Sequence, residues 1–99
     1  MEFSVTAEDR ILLLTLEDTT ALRELATAYA VVGMGTAEEV RAARRACADL
    51  PNFMFVQGNR DEIPWQDRWF TYILVRENTE LTPSMARVLA EGGRVIQLP

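Results

Sequence analysis

Carboxylates, hydroxyls, ten arginines and one thiol carry all the ionic and nucleophilic chemistry in these 99 residues, because histidine and lysine are both absent. Without histidine, serine-histidine and cysteine-histidine nucleophile systems are excluded. One cysteine and no histidine exclude ordinary zinc sites. Without lysine there is no phosphate-loop lysine and no residue for a Schiff base. Asp61, Glu62 and Asp67 fall close enough together to act as a carboxylate pair or to hold Mg²⁺, but the expected reading is solvated loop acids. Cys47 falls on the apolar stripe Val40, Ala43, Cys47, Leu50 and reads as a small core residue. Arg41, Arg44 and Arg45 fall on the outer side of the same stripe. No catalytic residue and no metal ligand is assigned.

The elements that would position these groups alternate. Arg10-Ile-Leu-Leu-Leu14 is a continuous apolar run, as in a strand buried on both faces. Leu22, Leu25, Ala26 and Tyr29 recur at helical spacing after the cap candidates Glu17–Thr20. Ala30-Val-Val32 reads as a second strand ended by Gly33-Met-Gly35, and Thr36-Ala-Glu-Glu39 is a capping box that opens a helix. Phe53–Val56 and Trp69–Val75 read as strands three and four, with a loop over 58–68 between them. Thr82-Pro83 opens a helix expected to run to Glu91 and stop at Gly92, and Arg94–Leu98 is a fifth strand. This alternation predicts an α/β doubly wound parallel sheet in a single domain over residues 1–99. Two strand orders compete, 3-2-1-4-5 and 2-1-3-4-5.

The net charge is −5, hydrophobic residues make up 48% and charged residues 25%. An acidic surface is repelled by phosphate backbones and anionic membranes, so neither nucleic acid nor membrane is an expected partner. No apolar run approaches the roughly 20 residues of a membrane span. Met1-Glu2 opens without a basic n-region or an apolar h-region, so the chain reads as cytoplasmic.

Four phrases, in order, resemble one family. Leu50–Val75 (LPNFMFVQGNRDEIPWQDRWFTYILV) is similar to the middle of class I S-adenosylmethionine-dependent methyltransferases. Met85–Pro99 (MARVLAEGGRVIQLP) resembles their helix, Gly-Gly turn and fifth strand. Asp9–Ala26 (DRILLLTLEDTTALRELA) sits where they have the first strand and glycine-rich loop, and Val31–Val40 (VVGMGTAEEV) where the second strand ends. The resemblance implies a Rossmann-like sheet of about five strands in order 3-2-1-4-5, without the C-terminal hairpin of strands 6 and 7.

The resemblance also implies a cofactor site, and the residues depart from it. The acidic position after strand 1 is Leu13, and the loop glycines align with Thr15, Glu17 and Thr19. The ribose-binding acid at the end of strand 2 aligns with Gly35, the adenine-contacting acid after strand 3 with Asn59, and the acid early in strand 4 with Thr71. A non-glycine residue in left-handed conformation costs about 1–2 kcal/mol, and a lost charge-assisted hydrogen bond about 1.5–3 kcal/mol. Together the losses are on the order of 3–6 kcal/mol, roughly 10²–10⁴ in affinity. These seven positions are therefore expected to be a vestigial site, with no cofactor bound.

In the family, strand 5 is followed by a helix and an antiparallel hairpin. The chain stops at Pro99, which makes strand 5 an expected open edge. One sheet face, carrying only the helix from Pro83 and the 58–68 loop, is expected to be thinly covered. Val95, Ile96 and Trp65 are the expected interface residues. The reading that joins these points is a degenerate, non-catalytic methyltransferase-like domain. It would bind another protein, either a second copy or an active methyltransferase. The alternatives are a methyltransferase active only with a completing partner, with S-adenosylmethionine as its cofactor, and a small-ligand module using the altered crevice.

Overall fold

Ile11, Leu12 and Leu13 are apolar in succession, so a strand made from them must be covered on both faces. The computed structural model describes residues 4–16 and 22–98 and shows how that cover is built. Strand β1 (Arg10–Leu13) is the centre of one five-stranded sheet with β2 (Ala30–Gly35), β3 (Phe53–Gln57), β4 (Phe70–Arg76) and β5 (Leu89–Leu98). The order is β3-β2-β1-β4-β5 and each neighbouring pair is parallel. The sheet is the expected 3-2-1-4-5.

On one face, Ile11, Leu13, Val31, Phe55 and Leu74 pack under Val40 and Ala43 of helix α1 (Ala37–Ala46), under Cys47 just past its end, and under Leu22, Leu25 and Ala28. Helix α1 begins as its sequence requires. The Thr36 hydroxyl accepts the Glu39 amide at 3.2 Å, and the Glu39 carboxylate accepts the Thr36 amide at 2.9 Å. Cys47 is buried in this layer, and burial pushes its thiol pKa up, so it stays protonated and inert.

The segment before β2 departs from the expected helix. It is a 3-10 turn at Arg23–Leu25, with the Ala26 amide on the Arg23 carbonyl and the Ala28 amide on the Leu25 carbonyl. The buried residues are Leu22, Leu25 and Ala28, a spacing of three. Ala26 is exposed, and Tyr29 is 65% exposed. The stripe follows the 3-10 period because the segment is tethered from outside. Asn52 donates from its amide to the carbonyls of Ala26 and Ala28. Arg23 makes a two-pronged contact with Asp49 at 2.8 and 2.7 Å and also donates to the Ala46 carbonyl.

The second face was expected to be thinly covered, and the structure corrects this. Leu12, Val32, Phe70, Ile73 and Val75 of the sheet pack with Ile63, Met85 and Val88, and Trp65 and Trp69 are packed against them. The 58–69 loop stays down because helix α2 (Pro83–Val88) grips it. Arg87 donates to the carbonyls of Trp65 and Ile63 and to Asp67, the Ser84 hydroxyl accepts the Ile63 amide, and Thr82 donates to the Arg60 carbonyl. Trp65 therefore belongs to the cover. It is half-buried against Trp69 and Phe70, with ring centroids 5.5 and 5.8 Å away, rather than standing out as an exposed anchor.

The end of α2 is also corrected. The helix stops at Val88, and Leu89 already pairs with Phe70. The next matched pair is Tyr72 with Arg94, so β5 advances from 89 to 94 while β4 advances from 70 to 72. The surplus is a bulge. Gly92, at φ +78, supplies the left-handed residue that it needs, so the Gly-Gly pair bends a strand instead of ending a helix.

Two expectations follow. Thr36→Ala removes the cap hydroxyl and should lower stability by about 1 kcal/mol, read as a fall in urea midpoint at unchanged m-value. The hydrogen bond from the Arg23 guanidinium, helped by backbone hydrogen bonding, holds the Asp49 carboxyl down from 3.8 to about 2. A folded-state pKa below the unfolded one gives stability that is present above the unfolded value and lost as pH falls through the folded value. Asp49→Asn should therefore flatten the fall in melting temperature between pH 3.8 and about 2, as followed by circular dichroism, and leave a smaller difference below that window.

Candidate functional site

In an open parallel sheet, ligands bind beyond the carboxyl ends of the strands. That edge is formed here by the ends of β1, β2 and β3. Leu13 ends β1, pairs with Gly33 and Leu74, and is 2% exposed. Thr15 follows it, half-buried. Gly35 ends β2 opposite Gln57, and its carbonyl accepts the Gly58 amide at 3.2 Å. Asn59 is exposed just beyond β3, and its side-chain oxygen accepts the Asp61 amide at 2.9 Å. The structure thus places Leu13, Thr15, Gly35 and Asn59 along one edge. Glu17 and Thr19 lie outside the described residues.

Thr71 stands apart. It lies near the start of β4, at the opposite end of the sheet. Its hydroxyl donates to the Asp9 carboxylate at 3.0 Å and accepts the Arg10 amide at 3.0 Å. Arg10 in turn donates to the Trp69 carbonyl and lies over the Trp69 ring, 5.4 Å from its centroid. This group ties the amino ends of β1 and β4 together.

Two residues at the carboxyl edge were not singled out from the sequence. The first is Leu16, 3% exposed, whose side chain lies over both glycines of β2. A Cβ at Gly33 would sit 2.8 Å from Leu16 Cδ2 and 2.6 Å from Phe55 Cδ1. The second is Glu39. A Cβ at Gly35 would sit 2.9 Å from Glu39 Oε1 and 3.2 Å from Leu16 Cδ1. The capping box did carry a signal for Glu39. A glutamate at the third position of α1 folds back over the residue that precedes the cap, which is Gly35. Nothing in the sequence marked Leu16.

The remaining candidates take ordinary roles. Asp61 and Glu62 are exposed, and Asp67 pairs with Arg87 at 2.6 Å. Arg41 and Arg45 are exposed, while Arg44 donates to the Phe55 carbonyl of the edge strand β3 at 2.8 Å. An open depression of about 310 Å³ beside that edge is lined by Arg44, Cys47, Leu50, Phe53 and Met54, towards the amino end of β3. Among the described residues, no cluster of three metal-ligating side chains occurs and no helix is long and apolar enough to cross a membrane.

At the other margin of the sheet, Val95 packs towards the layer containing Met85 and Ile96 towards the layer containing Leu74. Both are half-buried. Tyr72, Ile96 and Leu98 are partly buried on the α1 side of the sheet.

No protein-family model matches the chain, and no curated protein does. Solved structures match it well. The YcgJ protein from Bacillus subtilis superposes with a TM-score of 0.76 at 26% identity, over 92% of this chain and 44% of that one. A chain of the Haloferax volcanii complex between the Trm112 methyltransferase activator and a candidate methyltransferase gives 0.76 at 24% identity, over 93% and 45%. An S-adenosylmethionine-dependent methyltransferase from Aquifex aeolicus gives 0.73 at 19% identity, over 90% and 55%. The chain spans less than half the length of the first two structures and about half that of the third. With five parallel strands in the order β3-β2-β1-β4-β5 and helices packed on them, this chain has the Rossmann-like fold of the class I S-adenosylmethionine-dependent methyltransferases.

Proposed function

We propose that this chain is a non-catalytic, methyltransferase-like domain that acts by binding another protein chain. The observation that carries this reading is the carboxyl edge of the sheet. S-adenosylmethionine offers a ribose diol, a cationic sulfonium and an amino-acid end, and acidic side chains and close backbone amides suit these groups. At this edge Leu13 is buried and apolar, and Gly35 has no side chain. Glu39, the carboxylate that lies over Gly35 among the described residues, is engaged with the Thr36 amide. These residues do not match the group, so no step is assigned to it.

The two sheet margins support the binding role. β3 is short, and Arg44 occupies its Phe55 carbonyl, the kind of guard that keeps an edge from pairing. β5 is ten residues long and, among the described residues, has a neighbour on one side only, β4. Such an edge accepts an added strand through main-chain hydrogen bonds. One similar structure is a complex with a methyltransferase activator, which favours partnering as a use of this fold. Antiparallel pairing of β5 with β5 of a second copy about a two-fold axis is the simplest closed form, and an active methyltransferase could take the same edge. A second reading is an enzyme completed by further protein, with S-adenosylmethionine as its cofactor. The one observation favouring it is that the chain spans under half the length of the YcgJ and Haloferax structures.

Calorimetry separates the two readings. The 99-residue chain should show no heat of binding with S-adenosylmethionine at ~100 µM, and a low-micromolar dissociation constant would establish the second reading instead. Light scattering tests the edge. The chain should be oligomeric, and Ile96→Arg should shift it to monomer. A stable monomer in the unsubstituted chain defeats self-association, and an oligomer indifferent to Ile96→Arg places the interface away from β5.

A further inference from the structure

Position 35 is more than a place where an acid is missing. Gly35 and Gly33 face the same side of β2, and Leu16 lies across both, its two methyl carbons 3.2 and 2.8 Å from where their Cβ atoms would be. The rest of the space over Gly35 is held by Glu39. Its Oε1 would be 2.9 Å and its Cβ 3.3 Å from a Cβ at 35. The Glu39 carboxylate is fixed there by accepting the Thr36 amide at 2.9 Å, so it leaves only if the capping box opens.

We propose that the crevice at the carboxyl end of β2 is closed by the chain's own side chains, with Leu16 and Glu39 filling the volume, and holding the negative charge, that an acidic residue at 35 and its ligand would take. The inference deepens the proposed non-catalytic reading and rests on its placement of the cofactor edge. Closure is a joint property of three positions. An aspartate at 35 would place its Cβ against Leu16 and its carboxylate beside that of Glu39. Like charges in contact repel, and overpacked side chains are forced out of their preferred rotamers. A small residue at 35, a large one at 16 and the capping glutamate at 39 therefore depend on one another. Restoring the acid alone should not restore a site.

The test is a mutant cycle with a separate ligand readout. Gly35→Asp in the native background should lower the melting temperature by about 4–8 °C or more. The same substitution on Leu16→Ala/Glu39→Ala should cost clearly less, because contacting residues are coupled where independent ones add. Gly35→Ala, a milder probe, should show coupling of the same sign if Gly35→Asp fails to fold. Equal costs in both backgrounds for the alanine and aspartate variants would overturn the proposal. In the unsubstituted ¹⁵N-labelled chain, millimolar adenosine should leave the Gly33 and Gly35 amide resonances unmoved, and saturable shifts there would overturn closure as well. The outcomes separate the two readings. Binding of S-adenosylmethionine with coupling intact and those amides unmoved would defeat the non-catalytic reading and leave closure standing. Additive substitutions without any binding would do the reverse.

Discussion

The central strand of a parallel sheet has no wet face, and β1 meets that condition with Ile11 and Leu12 at 0% exposure and Leu13 at 2%. Burying a branched aliphatic side chain is worth about 1.5–3 kcal/mol, and that gain is realised only if both faces are roofed. Two roofs therefore have to come from a short chain. One is a regular helix, α1, together with the tethered 3-10 turn that precedes β2. The other is mostly irregular. Because a loop has unpaired main-chain groups of its own, it can serve as a roof only when something satisfies them. Arg87, Ser84 and Thr82 do so, turning residues 60–67 into a fixed lid of which Ile63 and Trp65 are the apolar underside.

The same economy shapes the ligand edge. A sheet that binds a nucleoside at its strand ends needs open space there, defended by loops that hold their shape without filling it. Here Leu16 turns inward after β1 and takes that space into the α1-side core. Gly33 and Gly35 accommodate it because they have no Cβ, and the helix cap brings Glu39 over the remainder. Packing and capping, each stabilising in its own right, fill the space over Gly33 and Gly35. Among the described residues, the ten-residue margin of β5 contrasts with the Arg44-guarded margin of β3.

Much of this was legible from residue pattern alone, for reasons that are local. The apolar run at 11–14, the capping box at 36–39, the Thr82-Pro83 start and the strand-like runs at 53–56 and 69–75 report backbone preferences that hold within a few residues. The resemblance to methyltransferases selected between two strand orders, and the sheet agrees with it. The absence of an acid at Leu13 and Gly35 could also be read directly.

What tertiary structure alone decided involves groups far apart in the chain. Leu22, Leu25, Ala26 and Tyr29 fit a helix, but Asn52, Asp49 and the Ala46 carbonyl hold that segment in a tighter turn. The helix signal continues to Glu91, yet pairing of Leu89 with Phe70 ends it at Val88 and makes the Gly-Gly pair a bulge. Thr71 was aligned with a cofactor contact, and the register of β4 puts it at the far end of the sheet beside Asp9. The sequence by itself determined most of the elements and their succession along the chain, since these follow from side-chain type and short-range spacing, while the strand order in the sheet was implied by the family resemblance. Which face the 58–69 loop would roof, and that Leu16 and Glu39 would meet over Gly35, depended on contacts across the fold, where geometry and not spacing sets who touches whom.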